Sequence, residues 1–309
     1  MEKRNFKVSA QEEKTRLDLY LAQRNDDLTR SFIKKQIESN SVVVNGNIEF
    51  RANYPVKVDD LIEINFEGEA HPDVEPEDID LKIIYEDDDL VVINKDSGMV
   101  VYPGSGNDSG TLVNALVSRY RFIKGVGDRL RSGLVHRLDK GTSGVILAAK
   151  SNRSLSHYTK QFAQRNVEKK YLAVSGGKVP LDLQARGSIS LKNFLKRNNR
   201  LRKKFSVDLE TGKFAHSEIV YLASENNNHL TEIDIKTGRT HQIRVHLSSI
   251  GMPILGDNKY GGPKYERLML HSWKLKINLL NGETKLFEAP IPNEFSSLFE
   301  NIEEIVDKE

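Results

Sequence analysis

The feature that most constrains the fold is an acidic, proline-containing stretch about a quarter of the way along the chain. Its sequence is Ala70-His71-Pro72-Asp73-Val74-Glu75-Pro76-Glu77. Two prolines among like charges disfavour both helix and sheet, so we predict an acidic linker over residues 71–80. The 309 residues then divide into a small domain at 12–70, a large domain at 81–300 and an acidic tail at 301–309.

Composition excludes several kinds of site. The chain has no cysteine, which rules out disulfides, thiolate catalysis and zinc–thiolate sites. A hydrophobic fraction of 38% and a charged fraction of 29% are typical of a soluble globular protein. No apolar run approaches the length of a membrane span, so we expect no membrane association. The start of the chain has mixed charge rather than a secretory signal, and we therefore expect a cytoplasmic location.

The small domain has the pattern helix, helix, hairpin. Leu17 and Leu21 have helical spacing, and Thr29 is a candidate N-cap for a second helix. Residues 42–46 form a β-run that ends in Asn-Gly, a pair that favours a type I′ turn. Basic residues give the helices a face that either contacts RNA or is simply solvated: Arg16, Arg30, Lys34 and Lys35.

The large domain alternates strands with a few helices, which predicts an α+β fold around a large sheet. A hairpin is expected from two β-rich runs that flank four acidic residues. The hairpin strands are predicted at 81–85 and 90–94, later strands at 145–149, 171–174, 217–222 and 230–235, and helices at 151–165 and from about 240 to 250.

The segment at 133–144 is the most informative for chemistry. It joins two apolar runs through a turn of small and polar residues, and this predicts that Asp139 lies on a loop held by strands. Loops on rigid scaffolds often carry reactive groups. The alternative is structural, an Asx-turn from Asp139 to the amides of Gly141 or Thr142.

Other candidate residues have similar alternatives. Taken alone, Tyr171 on a predicted strand would belong to the core, and Arg239 would pair with a surface carboxylate such as Asp234. The histidines at 241 and 246 are five residues apart, which does not match the i, i+4 spacing of a helical zinc pair. We therefore expect no metal site.

Four segments resemble RluA-type pseudouridine synthases. His136-Arg137-Leu138-Asp139-Lys140-Gly141-Thr142-Ser143-Gly144 is similar to the family's HRLDxxTSG signature, whose aspartate is essential. Residues 92–101 resemble its NKPxGxxV segment, with Asp96 where proline is usual. Residues 169–174 resemble the strand with the active-site tyrosine, and 238–247 resemble the GRTHQIRVH segment, whose first arginine is expected to meet the aspartate.

Two further segments resemble RNA-binding parts of such proteins. Residues 15–60 are similar to an S4 domain, in which a helix pair and the following hairpin contact RNA. A basic run at 192–204 resembles the segment that precedes a Gly-Lys-x-Ala motif in the family, and its charge suits phosphate contacts. With the signature arginine, this segment adds the following candidates for RNA contact: Arg137, Lys196, Arg197, Arg200, Arg202, Lys203 and Lys204.

The resemblance implies a pseudouridine synthase-like domain with a large mixed, mainly antiparallel sheet, plus a small α/β S4 domain of the αL type. It implies an enzyme without a cofactor that isomerises uridine, with Asp139, Tyr171 and Arg239 as catalytic residues. We expect a monomer that acts on RNA, with 23S-type ribosomal RNA preferred over transfer RNA. The rival hypotheses are a non-catalytic RNA-binding or ribosome-assembly protein and a glycosidase, which would need paired carboxylates.

Overall fold

The computed structural model describes residues 2–25, 30–66, 74–104, 106–127, 132–197 and 204–307. Contacts within the chain define two compact units, one covering residues 1–75 and one covering 76–126 with 131–309. Within the described ranges, no helix combines the length and apolar character that a bilayer crossing requires.

The first unit is a four-stranded antiparallel sheet packed against two helices. The predicted order of helix, helix and hairpin is confirmed, but the domain begins earlier than the predicted residue 12, because its first strand pairs with its last. The candidate N-cap Thr29 lies outside the described residues. The elements are β1 (Glu2–Lys7), α1 (Leu17–Gln23), α2 (Arg30–Glu38), β2 (Val42–Val44), β3 (Asn47–Ile48) and β4 (Leu61–Phe66), with the sheet order β1-β4-β2-β3.

The apolar faces of the first unit explain its packing. Leu17 and Leu21 of α1 and Ile33 and Ile37 of α2 are fully buried in one core with the inward side chains of the sheet. The hairpin between β2 and β3 turns through Asn45 and Gly46, which both have positive φ values, 50° and 82°. This is the backbone that a type I′ turn requires.

The second unit contains the remaining elements. Its strands are β5 (Ile83–Glu86), β6 (Leu90–Lys95), β7 (Ser143–Ala149), β8 (Glu168–Ser175), β9 (Ser188–Arg197), β10 (Phe205–Asp208), β11 (Lys213–Glu225), β12 (Asn228–Ile235), β13 (Leu270–Asn278) and β14 (Thr284–Glu288). Its helices are α3 (Leu112–Arg119), α4 (Asn152–Gln164), α5 (Leu181–Arg186), α6 (Gln242–Ser249), α7 (Asn293–Ser296) and α8 (Ile302–Val306).

Among the described residues these strands form one ten-stranded sheet, with the order β10-β9-β11-β12-β8-β13-β7-β6-β5 and β14 beside β13. The pairing of β13 with β7 is parallel, whereas the other strand pairs are antiparallel. The predicted large mixed sheet, mainly antiparallel, is therefore confirmed. Helix α4 follows β7 and packs Tyr158 against the buried side chains of β6 and β7.

The end of the chain differs from the predicted acidic tail. Residues 302–306 form α8, with Ile302 and Val306 buried while Glu303 and Glu304 face outward. One pair of apolar residues four positions apart is enough to dock a single helical turn, and the acidic residues conceal that pattern in the sequence.

The parallel contact between β7 and β13 depends on a glycine. Gly144 lies opposite Ser272 and has a φ of 107°. A Cβ added at Gly144 would lie 2.1 Å from the carbonyl oxygen of Ser272. Only glycine allows the strand that follows the Asp139 loop to approach β13 so closely.

We expect Gly144→Ala to lower the free energy of unfolding by about 2–4 kcal/mol, because the backbone must move and the new residue is strained. Urea unfolding measures this change. Gly104→Ala is the matched control, since a Cβ at Gly104 meets nothing within 4 Å. Equal effects of the two substitutions would contradict this account.

Two fully buried histidines should make stability depend on pH. Burial lowers the pKa of His246 to about 4 and the pKa of His271 to about 4. His246 contacts polar neighbours on both sides, with Nδ1 2.9 Å from Ser217 Oγ and Nε2 3.0 Å from Asn193 Oδ1. Both rings are therefore neutral in the folded protein at pH 7, whereas in the unfolded chain they titrate near the ordinary value of about 6.5.

The stability that these rings contribute is complete above pH 6.5 and is lost as pH falls towards 4, since only the unfolded chain takes up the protons in that window. Between these pH values, each ring should lower the free energy of unfolding by about 1.4 kcal/mol for each unit that the pH falls. Unfolding curves at pH 7.5, 6, 5 and 4.5 measure the slope, and His246→Gln should reduce it. An unchanged slope in that variant would show that His246 does not contribute.

Candidate active site

The loop that carries Asp139 is held by its own backbone and by the segment after β6. The amide of Thr142 donates to the carbonyl oxygen of Asp139 at 3.0 Å, which closes the turn. From the other segment, the Gly98 amide donates to Lys140 O and the Ser97 hydroxyl to Gly141 O, both at 2.8 Å. The backbone on the C-terminal side of Asp139 is thus fixed from outside the loop.

Lys95, at the end of β6, holds this supporting segment together. Its side chain is buried, with 1% of the residue exposed. Its Nζ donates to Asp96 O at 2.8 Å and to Met99 O at 2.9 Å, and it lies 3.4 Å from Lys140 O. Burial lowers the pKa of Lys95 to about 7. These contacts hold the turn although Asp96 stands where proline is usual.

The carboxylate of Asp139 pairs with Arg244. Arg244 Nη1 donates to Asp139 Oδ2 at 3.1 Å, and the Asp139 side chain is 20% exposed. The rest of the guanidinium binds Asp257, with Nε donating to Oδ2 at 2.7 Å and Nη2 to Oδ1 at 2.8 Å. The side chain therefore contributes to an ion-pair cluster rather than to the alternative Asx-turn.

The predicted pairing of Arg239 with Asp139 is wrong. Arg239 lies on the loop before α6, where its Nε donates to Phe214 O at 2.9 Å. Gln242 fixes that loop, because its Oε1 accepts from the Arg239 amide at 3.1 Å and from Thr237 Oγ1 at 2.7 Å. Arg244 lies in the first turn of α6, and this position brings its guanidinium to Asp139.

His241 also faces Asp139. It has a φ of 57° directly before α6, and its Nε2 lies 3.7 Å from Asp139 Oδ2. Its Nδ1 lies 2.8 Å from the hydroxyl of Tyr260. Burial lowers the pKa of His241 to about 4, although the nearby Asp139 charge opposes this shift. At neutral pH the ring is uncharged, and Arg244 supplies the positive charge beside the carboxylate.

A cavity of about 600 Å³ opens beside Asp139, within the roughly 300–1,000 Å³ range of ligand pockets. Tyr171, from β8, lines it and is 7% exposed. Burial raises the pKa of Tyr171 to about 12, while a hydrogen bond with Ser272 acts in the opposite direction. The tyrosine therefore offers a neutral phenol ring to the cavity that also receives Asp139 and Arg244.

The cavity wall is basic. Lys169 is buried against the ring of Phe162, with its Nζ 5.7 Å from the ring centroid, and burial lowers the pKa of Lys169. The described residues contain no group of three or more histidines, aspartates and glutamates arranged to hold a metal ion. The cationic side chains that line the cavity are Arg137, Arg165, Lys169, Lys236, Arg239 and Arg244.

The described basic residues of the 192–204 run lie on β9 and just before β10. Lys196 forms an ion pair with Asp208 across β9 and β10, and Arg197 lies over the Phe205 ring at 5.7 Å from its centroid. Lys204 is half-buried just before β10. None of these three side chains lines the cavity, whereas Arg137 does. Three candidates lie outside the described residues: Arg200, Arg202 and Lys203.

In the first unit, two of the predicted RNA contacts already have acidic partners. Arg16 Nε pairs with the buried Asp18 at 3.0 Å, and Lys34 pairs with Glu38 at 3.5 Å, one helical turn away. Both basic side chains remain about half exposed. Arg30 and Lys35 belong to α2, but their side chains are outside the described part of the structure.

Sequence reasoning missed Asp257 and Tyr260 and gave His241 no role beside Asp139. A signal existed in Gly256-Asp257-Asn258-Lys259-Tyr260-Gly261-Gly262, an acid between glycines in a segment without a strand or helix pattern. Such glycines indicate a tight loop, and an acid within it is a candidate for holding a basic group.

Comparisons with known proteins agree with this geometry. The family model described as RNA pseudouridylate synthase matches residues 89–249. The uncharacterized RNA pseudouridine synthase YlyB of Bacillus subtilis is 35% identical over 299 residues, covering 96% of each chain. The ribosomal large subunit pseudouridine synthase D of Borreliella burgdorferi is 36% identical over 308 residues, covering 97% of this chain and 92% of that protein.

A solved structure shares the fold. Human RNA pseudouridylate synthase domain containing 1 superposes with a TM-score of 0.58 at 24% identity, covering 74% of this chain and 94% of that one. The family model covers more than half of the chain and includes the Asp139 loop, β8 and α6. The chain therefore belongs to the RNA pseudouridylate synthase family, enzymes that isomerise uridine in RNA.

Proposed function

We propose that this enzyme converts a uridine of large-subunit ribosomal RNA to pseudouridine and that Asp139 acts on the ribose of that nucleotide. The observation that carries the proposal is the position of the Asp139 carboxylate, paired with Arg244 at the edge of a basic cavity that also contains Tyr171. A carboxylate that accepts a hydrogen bond from a fixed guanidinium is held in one orientation.

The reaction needs a charged oxygen close to the sugar. The bond from C1′ to N1 of uracil breaks, the base turns, and a bond from C1′ to C5 forms, while the C5 proton is replaced by one on nitrogen. The product is an isomer of the substrate, and no electrons are gained or lost. Asp139 either attacks C1′ or removes a proton from C2′, and both steps require the ionised form.

Tyr171 suits contact with the detached base. Because its pKa is raised to about 12, the hydroxyl stays protonated at neutral pH. Its ring is fixed in β8 and faces the cavity, where an extruded uracil can stack on it. We therefore assign the ring a stacking role and leave Asp139 as the charged group.

The basic residues would contribute RNA affinity. Arg137, Arg165 and Arg239 surround the cavity, where the phosphates that flank an extruded nucleotide would pass. The first unit would act as an S4-like RNA-binding domain, and the second unit would be the catalytic domain. The enzyme would work as a cytoplasmic monomer.

The choice of ribosomal RNA rests on relatives. The proteins of Borreliella burgdorferi and Haemophilus ducreyi, both 36% identical to this chain, are ribosomal large subunit pseudouridine synthases D. Mapping pseudouridine in cellular RNA with and without the gene tests this choice. Loss of a site in large-subunit RNA would support it, whereas loss of a site only in transfer RNA would overturn it and leave the chemistry unaffected.

We expect Asp139→Asn to bind RNA with the parent affinity but to form no pseudouridine, because the substitution keeps the shape and removes the charge. Release of tritium from RNA labelled at uracil C5 measures turnover. Asp182→Asn, at an exposed carboxylate of α5, is the control and should keep the parent rate. Substantial turnover by pure Asp139→Asn protein would contradict the assignment.

The two arginines of the 238–247 segment should differ in their effects. Arg244→Lys loses the planar fork that reaches both Asp139 and Asp257, so we expect the single-turnover rate on saturating RNA to fall roughly 100-fold. Arg239→Lys should change this rate less than about 5-fold and act mainly on RNA affinity. The reverse order of effects would restore Arg239 as the partner of Asp139.

A further inference from the structure

We propose that Asp257 is a positioning residue of this enzyme, which aims the Arg244 guanidinium at Asp139. This inference rests on the proposed role of Asp139. Asp257 does not contact Asp139 itself in the described hydrogen bonds; it binds the two guanidinium nitrogens of Arg244 that are directed away from Asp139.

The geometry favours Asp257 as the fixed end of this cluster. Its side chain is 0% exposed, compared with 20% for Asp139. Its Oδ1 also accepts the backbone amides of Lys259 at 3.1 Å and Tyr260 at 3.2 Å. The two hydrogen bonds to Arg244 run from adjacent nitrogens to separate oxygens, which defines the plane of the guanidinium.

The loop that carries Asp257 is a rigid support. A Cβ at Gly256 would lie 1.8 Å from Arg267 O, and a Cβ at Gly262 would lie 1.8 Å from Ile254 O. The Gly262 amide donates to the carbonyl oxygen of Asp257 at 2.9 Å. With backbone atoms so close, the loop has little room to move, and Asp257 keeps its place relative to α6.

The same loop is joined to α6 and to the other neighbour of Asp139. Ser248 of α6 donates its hydroxyl to Tyr260 O at 2.9 Å. The Tyr260 ring lies under the Arg244 guanidinium, 5.1 Å from ring centroid to Cζ, and its hydroxyl contacts His241. Both groups that face Asp139 thus depend on residues 256–262 for their orientation.

Charge alone does not explain the arrangement. Asp257 brings a second negative charge close to the guanidinium that Asp139 uses, so it competes with Asp139 for the same cation. What it adds is direction, because a single hydrogen bond at 3.1 Å leaves a guanidinium free to rotate, whereas a bidentate partner does not. We therefore expect Asp257 to affect the rate of the chemical step rather than the affinity for RNA.

The test is a double-mutant cycle with full-length protein: parent, Asp257→Asn, Arg244→Lys and the double variant. Single-turnover rates on saturating RNA, RNA affinity and melting temperature are measured for each. We expect Asp257→Asn to lower the rate roughly 100-fold with RNA affinity within about 3-fold of the parent. In the Arg244→Lys background the same substitution should lower the rate less than about 3-fold, because the directed fork is already lost.

Asp87→Asn is the matched control, since Asp87 also accepts two backbone amides, those of Asp89 and Leu90, but holds no arginine in the described contacts. It should leave the rate unchanged in both backgrounds. If Asp257→Asn lowers the rate equally in both backgrounds, Asp257 acts on the fold and the proposal is overturned. A rate within 3-fold of the parent in folded Asp257→Asn protein overturns it too.

Removing one partner of a buried ion pair can prevent folding, so Asp257→Glu provides a second measurement. It keeps the charge but lengthens the side chain, and we expect at least a 10-fold lower rate near the parent melting temperature; an unchanged rate would overturn the proposal. The parent enzyme and Asp139→Asn are measured in parallel. If the parent forms no pseudouridine, or Asp139→Asn forms it, the proposed function fails independently of Asp257.

Discussion

The second unit is organised around one guanidinium shared by two carboxylates. Arg244 is largely buried, and its charge is acceptable there because Asp139 and Asp257 accept three of its N–H donors. Each partner comes from a different part of the fold: the loop before β7, the first turn of α6, and the glycine-bounded loop before β13. The sheet must bring these three segments together, and a close backbone approach, at Gly144, occurs where β7 meets β13.

Sequence patterns predicted several of the elements that support this cluster, but they did not identify Arg244 and Asp257 as its members. Strand β7 is an apolar run that is buried at every position, and helices α4 and α6 have helical apolar spacing, so the sequence correctly predicts Asp139 on a loop. Arg239 and Arg244 share one motif, and the choice between them depends on where α6 begins. A helix start is uncertain by a residue or two in sequence reasoning, and a shift of that size turns a side chain to another face.

Two of the missed elements, β1 and α8, have a common cause. Strand β1 has few apolar side chains, and its strand state depends on pairing with β4, which lies more than fifty residues later. Helix α8 is a single turn in which two acidic residues lie between the two buried side chains, Ile302 and Val306. In both cases the stabilising contacts are distant in sequence, and local propensity carries little information about them.

The distances along the chain between the members of the cluster affect how the enzyme is made. Asp139 and Arg244 are 105 residues apart, and Ser143 contacts His271 across 128 residues. During synthesis, the edge of β7 that pairs with β13 stays unpaired until β13 has been made. Asp139 likewise has no Arg244 partner until that part of the chain has been translated. Contacts of such long range slow folding and expose strand edges in the meantime. A nascent chain therefore holds no assembled site until its last quarter has been translated.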